Sequence, residues 1–211
     1  MDSFADILRK RFGEDEPIVI GEIIAAFPDV SQTTVFNWLR EAQNAETIKK
    51  FQAGIYYIPS TESVLGLGEL PLSPDKVIMK KYLRTGDSVY GYFSGLNLEN
   101  EVGVSPQMPF TLEITTNKAS RRVREIEPFG GWRKITLRTP RTEVTKDNVD
   151  ALRLLDLITR VPTNLLNKLE FDSLKELAAC VDKDTMMDCV TYYPAKTSKR
   201  LLENEVLGVF A

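Results

Sequence analysis

Residues 90–124 read YGYFSGLNLENEVGVSPQMPFTLEITTNKASRRVR, and this stretch decides how the middle of the chain folds. It predicts an aromatic strand, a short helix punctuated by Gly95 and Gly103, a second strand and a cationic turn. Ser94 is suited to cap the helix, and Gly103 to close it in a left-handed turn. Apolar and polar residues alternate over 110–115, as in a half-buried strand. The stretch therefore predicts a small mixed α/β arrangement.

The rest of the chain extends this arrangement to an α+β protein with three parts. Further strands are predicted at 122–126 and 134–137, so that a small central α/β domain covers residues 61–144. Residues 145–211 have helical periodicity and predict a C-terminal helical region that packs on the central domain. Residues 1–60 form a separate N-terminal domain. Two segments have no helical period or clear partner: a connector at 59–72 and an apolar tail at 206–211.

The N-terminal domain has the outline of a winged helix-turn-helix. Apolar residues at helical spacing predict helices over about 4–12, 17–27 and 32–44. Two β-type runs then flank Gln52-Ala53-Gly54, where the glycine can adopt a positive φ in a hairpin turn. Three helices, a tight link before the third helix and a hairpin are the parts of this DNA-binding fold.

In such a fold the third helix, which Ser31 is predicted to cap, enters the major groove by its N-terminal turn. Its amide side chains can bond base edges, its hydroxyls can reach bases or phosphate, and its guanidinium can reach a phosphate. Two lysines of the predicted wing can neutralise the charge of the DNA backbone. The candidate DNA-binding residues are Gln32, Thr33, Thr34, Asn37, Arg40, Lys49 and Lys50. Because residues 1–60 carry nine acidic and six basic groups, a protein-binding module with a solvated polar face is the alternative.

Positive charge is concentrated in one central segment. The chain has a formal net charge of −3, yet residues 111–146 contain nine basic and four acidic side chains. Such cations are costly to bury, so they must face water or a polyanion. We define the basic edge, a candidate for contact with nucleic acid, as Lys118, Arg121, Arg122, Arg124, Arg133 and Lys134. A solvated edge that discourages strand-to-strand aggregation is the alternative.

The composition excludes several kinds of chemistry. The chain contains no histidine, which removes histidine acid–base catalysis and the Ser-His-Asp triad. Its two cysteines, Cys180 and Cys189, cannot form a metal quartet and are expected to be buried free thiols of a reduced cytosol. No secretory signal or membrane-spanning run is visible. We therefore expect a cytoplasmic protein with no membrane partner, metal or cofactor.

Residues 94–109 resemble the signature of the AbiEi-type antitoxin family. That signature has Ser-Gly, a short helix, Gly-Leu-Ser/Thr-x-Gln, an apolar residue and Pro, followed by a strand that ends in Thr. The residues that match are Ser94, Gly95, Gly103, Ser105, Gln107, Pro109 and Thr115. Val104 stands where the family usually has Leu. The exit from the N-terminal domain at 54–59 and the helix at 150–158 also resemble that family.

The resemblance implies a bacterial type IV toxin–antitoxin system. In such a system a winged-helix protein binds a double-stranded operator with an inverted repeat and represses its own operon. The downstream domain counters a nucleotidyltransferase toxin without forming a stable complex with it. The resemblance thus makes the basic edge a candidate for antitoxin activity as well as for DNA contact, and it implies that the chain is not an enzyme.

Two other functions remain as alternatives. A metal-dependent nuclease would need acids and a lysine together, and Glu101, Glu113 and Lys118 lie near predicted strand ends. The five-residue spacing of Glu113 and Lys118 is wrong for one face of a strand, which counts against this alternative. A ligand-sensing winged-helix repressor, whose central domain binds a small molecule, is the other alternative.

Overall fold

A computed structural model describes residues 3–60, 71–131 and 133–203, and it divides the chain into two compact units, 1–80 and 81–211. Both units combine helices with small sheets, which confirms the predicted α+β class. Most of the predicted connector and all of the predicted apolar tail lie outside the described residues. No helix in the described ranges is both long and apolar enough to cross a bilayer.

The first unit contains a small sheet and four helices in the ranges described. Its elements are α1 (Phe4–Phe12), β1 (Ile18–Val19), α2 (Ile20–Ala25), α3 (Gln32–Asn44), β2 (Lys49–Gln52), β3 (Ile55–Tyr57) and α4 (Pro74–Ile78). Strand β3 lies between β1 and β2 and pairs antiparallel with both. Leu8, Ile23 and Leu39, one from each of the first three helices, are buried in the core of this unit.

The second predicted helix begins later than its apolar pattern indicated. Ile18 and Val19 pair with Tyr56 and Ile55 of β3, so their backbone groups are used in a sheet before α2 begins at Ile20. Periodicity cannot reveal this pairing because the partner strand lies more than thirty residues later in the chain. The prediction was therefore wrong over the first residues of this segment.

The first unit extends beyond the predicted boundary at residue 60. The ammonium of Lys76 donates to the carbonyl oxygen of Asp15 at 2.9 Å and pairs with Glu16 at 2.6 Å. Lys80 donates to the carbonyl oxygen of Pro17 at 2.6 Å. Helix α4, which lies within the range 61–144 predicted for the central domain, therefore belongs to the first unit.

The second unit is built on a four-stranded sheet and a set of helices. After a π-helical turn at Met79–Leu83 its elements are β4 (Arg84–Thr85), β5 (Ser88–Val89), β6 (Gly91–Phe93), α5 (Gly95–Val102), β7 (Leu112–Thr116), β8 (Val123–Ile126), β9 (Ile135–Arg138), α6 (Val149–Arg160), α7 (Lys168–Ala179), α8 (Lys183–Val190) and α9 (Ala195–Glu203). The sheet has the order β6-β7-β9-β8, in which β7 and β9 are parallel and the other pairs are antiparallel. Strands β4 and β5 form a separate short ribbon.

Helix α6 is the centre of the second core. Its buried face, with Leu152, Leu155 and Ile158, belongs to the same apolar cluster as Tyr92 of β6 and Leu98 of α5. Residues of α7, α8 and α9 complete this cluster. Strand β6, helix α5 and the C-terminal helices therefore share one core.

Helix α7 begins after Asn167, because Asn167 and Glu170 exchange side-chain-to-backbone hydrogen bonds in a capping box. Two local predictions in this unit were wrong. Cys189 is buried as expected, but Cys180 is exposed because it lies at the end of α7. The strand expected from residue 110 begins at Leu112.

Candidate functional site

Helix α3 is held by its cap and by its inner face. The hydroxyl oxygen of Ser31 accepts a hydrogen bond from the backbone N–H of Thr34 at 3.2 Å, as predicted. Val35 and Leu39 are buried on the inner face. Trp38 also contacts aromatic rings of the first unit, with its centroid 5.8 Å from that of Phe4. One face of α3 is thus fixed and the opposite face is left to solvent.

The outer face of α3 carries most of the predicted DNA-binding residues. Four of them are exposed, and within the described ranges no side-chain hydrogen bond or ion pair engages them: Gln32, Thr33, Asn37 and Arg40. Thr34 differs because it is half-buried and its hydroxyl lies 2.8 Å from that of Ser31. Phe36 is 44% exposed on this helix. The outer face therefore combines amides, a hydroxyl, a guanidinium and one exposed ring, while Thr34 serves the cap.

The two lysines that were predicted to lie on a wing have different environments. Lys49 and Lys50 are neighbours on β2, paired with Tyr57 and Tyr56 respectively, so they point to opposite faces of the sheet. Lys50 is exposed and Lys49 is half-buried. Gly54, with φ of 76°, makes the turn that follows. The structure thus does not join the two lysines into one cationic patch.

The basic edge has an exposed part at one margin of the sheet of the second unit. Arg121 and Arg122 precede β8 and Arg124 lies on it, and β8 is an outer strand of the sheet. All three side chains are exposed, with no ion pair in the part of the chain that the structure describes. Lys118, in the turn after β7, has its ammonium 5.0 Å from the ring centroid of Tyr90.

The remaining members of the basic edge have local partners. The Arg133 guanidinium donates to the carbonyl oxygens of Phe110 and Pro109, at 3.3 and 3.2 Å. Lys134 pairs with Glu127 at 3.3 Å. Arg133 therefore fixes the segment that enters β7, and the basic edge is not one uniform surface.

A polar pocket, which the sequence did not predict, lies on one face of the four-stranded sheet. It has a volume of about 510 Å³. Thr115, Arg138 and Asp156 line both this pocket and a smaller one of about 240 Å³. We call the two together the arginine pocket, after the residues Arg122, Arg138, Arg141 and Arg160 that line them.

Strand register explains how the floor of the arginine pocket forms. Thr115 of β7 is paired with Tyr92 of β6 on one side and with Arg138 of β9 on the other. Arg138 is paired in turn with Val123 of β8. Paired residues project to the same face of a sheet, so one side chain from each strand meets there.

Asp156 of α6 is held at the pocket by two tyrosines. The hydroxyls of Tyr92 and Tyr193 each donate to a different carboxylate oxygen of Asp156 at 2.9 Å. Burial raises the pKa of Asp156, although these hydrogen bonds and the nearby Arg141 act in the opposite direction. Burial and the Asp156 carboxylate raise the pKa of both tyrosines. The two hydroxyls therefore stay protonated and act as donors.

The opposite wall of the pocket is formed around Glu113. Its Oε2 accepts hydrogen bonds from Nε and Nη2 of Arg138 at 3.3 and 3.0 Å. The backbone N–H of Ser94 donates to the carbonyl oxygen of Glu113 at 2.8 Å. The Ser94 hydroxyl is buried, and no hydrogen-bond partner for it exists among the described residues. Buried hydroxyls normally have a partner, so this group is unusual.

The pocket contains more cationic than anionic side chains. Arg160 pairs with Glu99 at 3.0 Å, and Arg138 pairs with Glu113. Arg122 and Arg141 have no carboxylate partner within the described residues, although the Arg141 guanidinium lies 4.8 Å from the ring centroid of Tyr193. With Asp156 as the remaining acid, the pocket has an excess of positive charge and suits an anion.

The residues considered for a metal-dependent nuclease are each held by a different partner. Glu101 pairs with Arg153 at 3.1 Å, and Glu113 pairs with Arg138 at 3.0 Å. Lys118 lies over a tyrosine ring. Within the described residues, no three His, Cys, Asp or Glu side chains form a group that could hold a metal ion.

Sequence reasoning missed the pocket although one signal for it was present. Asp156 lies between Leu155 and Leu157, both buried, in the apolar stripe of α6. A carboxylate in such a position needs polar partners and so indicates a site. A comparison of the chain with known protein families gives no match, and none of the curated proteins is significantly similar to it.

Proposed function

We propose that this protein is a sequence-specific DNA-binding regulator whose first unit is a winged helix-turn-helix. The observation that carries the proposal is the solvent-facing side of α3, where Gln32, Asn37 and Arg40 are exposed beside an inner face anchored by Val35 and Leu39. Helices α1 to α3 followed by the β2–β3 hairpin are compatible with the order of elements in that fold.

The chemistry of this face suits the major groove. An Asn or Gln amide can bond the N6 and N7 edge of adenine at once, and an exposed ring such as Phe36 can contact a thymine methyl. Arg40, two turns after Thr33, suits a phosphate at the margin of the groove. Lys50 can reach a second phosphate from the hairpin, whereas the cap role of Thr34 makes it the weakest candidate of the set.

We further propose that the protein represses its own operon and acts as an antitoxin in the cytoplasm. This part rests on the resemblance to the AbiEi-type family. The operator would be duplex DNA with an inverted repeat, and the second unit would counter a nucleotidyltransferase toxin without a stable complex. Arg121, Arg122 and Arg124 are the cations best placed to contribute, because they are exposed on an outer strand or beside it.

Footprinting of the full chain on the DNA upstream of its own gene tests the DNA-binding proposal. The expected result is protection of an inverted repeat, with affinity that falls steeply as salt rises. The double variant Gln32→Ala/Asn37→Ala should lose sequence preference, by about tenfold or more per lost base contact, and keep weak binding that depends on salt. Asn44→Ala, at the other end of α3, is the matched control. A double variant with the footprint of the parent would refute the role of α3.

Co-expression with a nucleotidyltransferase encoded beside the gene tests the antitoxin proposal. The chain should restore growth, and an affinity-tagged toxin should not retain it. Rescue that requires a stable complex would refute the proposed mode of action, and failure to rescue would refute antitoxin activity.

A ligand-sensing repressor is the second candidate function, and the arginine pocket is the observation that favours it. A pocket of about 510 Å³, in which Arg122 and Arg141 form no ion pair with a carboxylate of the described residues, is a feature that DNA binding through α3 does not require. In a ligand-sensing repressor of this kind, binding of a small anion in the pocket would change the affinity of the chain for its operator.

A further inference from the structure

We infer that the arginine pocket binds a phosphate ester of nucleotide size. This inference deepens the ligand-sensing candidate by naming the chemical class of the ligand. It is independent of the role of α3, because every residue that lines the pocket belongs to the second unit.

The arginine pocket contains guanidinium N–H groups that are available to bind a phosphate. Arg122 and Arg141 have no carboxylate partner within the described residues. Arg138 uses Nε and Nη2 on Glu113, while its Nη1 has no partner there. Planar guanidiniums bind phosphate through paired N–H groups, and each charge-assisted bond is stronger than a neutral one. Arg138 and Arg141 line both pockets and can bind a phosphate in the smaller one, whereas Arg122 lines only the larger pocket.

The buried hydroxyl of Ser94 is a further hydrogen-bond donor for a phosphate. This residue is only 3% exposed and lines the smaller pocket, and its hydroxyl has no hydrogen-bond partner among the residues that the structure describes. A buried hydroxyl without a partner carries an unfavourable desolvation cost. A phosphate oxygen in the smaller pocket would accept its hydrogen bond and remove that cost. The hydroxyl therefore indicates the end of the pocket at which the phosphate lies.

The larger pocket has the size and the mixed polar and apolar lining that suit a nucleotide. Small-molecule sites commonly measure roughly 300–1,000 Å³, far more than an inorganic phosphate needs. The larger pocket, about 510 Å³, includes Val123 and Pro140 beside its polar residues. These apolar groups can contact the sugar or base of a nucleotide. Glu113 and Asp156 also line the site, but Arg138 neutralises the first and two tyrosine hydroxyls stabilise the second.

Calorimetric titration of the full chain, without DNA, tests the inference. The probes are a nucleoside 5′-monophosphate, the matching nucleoside, inorganic phosphate, and a short single-stranded oligonucleotide. Saturable binding of the monophosphate in preference to the nucleoside supports the inference. Binding of inorganic phosphate alone, binding of the oligonucleotide alone, or no binding of any probe would overturn it.

Variants then separate the pocket from general surface charge. Arg141→Gln, which removes a guanidinium that lines both pockets, should weaken monophosphate binding about tenfold or more. Ser94→Ala should weaken binding as well, while the melting temperature of the free protein stays at or above that of the parent, since no hydrogen bond is lost. Arg124→Gln, which removes an exposed arginine that does not line the pocket, is the matched control. Equal losses for Arg141→Gln and Arg124→Gln would overturn the inference.

Discussion

The carboxylate of Glu113 lies against the backbone of Gly95, so that a Cβ on Gly95 would be 2.2 Å from one carboxylate oxygen. Arg138 holds the same carboxylate from the other side at 3.0 Å. Gly95 also has a φ of +61°, which favours glycine. The Ser-Gly pair that opens α5 therefore has a steric purpose: its glycine makes room for the wall of the arginine pocket.

Gly95→Ala is expected to destabilise the protein by about 2 kcal/mol, because it strains the backbone at a positive φ and displaces the Glu113 carboxylate from Arg138. Gly86→Ala is the matched control: Gly86 has a φ of +54°, but no described atom lies within 4 Å of a Cβ added there. The control should lose about 1 kcal/mol. Urea unfolding measures both, and equal losses would show that the Glu113 contact is unimportant.

Ser31→Ala is expected to cost about 1 kcal/mol of stability, since its hydroxyl accepts the N–H of Thr34 at the start of α3. Ser73 occupies the same cap position before α4, but its side chain makes no cap hydrogen bond. Ser73→Ala should therefore change stability by less than about 0.5 kcal/mol. Thermal and urea unfolding compare the two variants, and a similar loss in both would contradict the cap assignment.

Replacing Arg121, Arg122 and Arg124 by Glu is expected to weaken binding to DNA or rescue from the toxin. If all three contact phosphate, the slope of log affinity against log salt should fall by up to about three. The control replaces Lys183, Lys196 and Lys199, exposed on α8 and α9, by Glu, which changes net charge equally. Unchanged binding and rescue in the arginine variant would mean that these residues are only a solvated edge.

Asp156→Asn is expected to alter how stability depends on pH. Burial raises the pKa of Asp156 in the folded state above its ordinary value of 3.8, so the folded protein holds this proton more tightly than the unfolded chain. Its contribution to stability is therefore complete below 3.8 and is lost as the pH rises through the raised pKa. Asn cannot ionise but can still bond the hydroxyls of Tyr92 and Tyr193.

The stability of the Asn variant relative to the parent should consequently increase from about pH 4 upward. Urea unfolding at a series of pH values gives this difference. A difference that does not vary with pH would show that Asp156 ionises normally in the folded state.

One of the two thiols should react quickly with a colorimetric thiol reagent in the folded protein. Cys180 is exposed, whereas Cys189 is buried, and burial and the charge of Asp188 raise the pKa of its thiol. Since the thiolate is the reactive form, Cys189 should react only after unfolding. Cys180→Ser should remove the fast phase and Cys189→Ser should leave it. Two fast thiols in the parent would contradict the burial of Cys189.

Local signals in the sequence were sufficient for the elements that depend on neighbouring residues. Ser31 correctly located the start of α3, Gly54 the turn of the hairpin, and Gly103 the left-handed end of α5. Exposure of Gln32 and Asn37 followed from the apolar period of α3, because a helix with one buried face must expose the other. Fold class and the candidate DNA-binding face were therefore predictable.

The sequence by itself thus determined the α+β class, the bounds of α1 and α3, and the exposed polar face of α3. Only the tertiary structure decided the start of the second helix, where Ile18 pairs with Tyr56, and the arginine pocket. The pocket exists because β9 inserts beside β7 in parallel register and sets Thr115 opposite Arg138, under Asp156 from α6. Strand order and register depend on contacts between distant residues, and no local pattern of side chains encodes them.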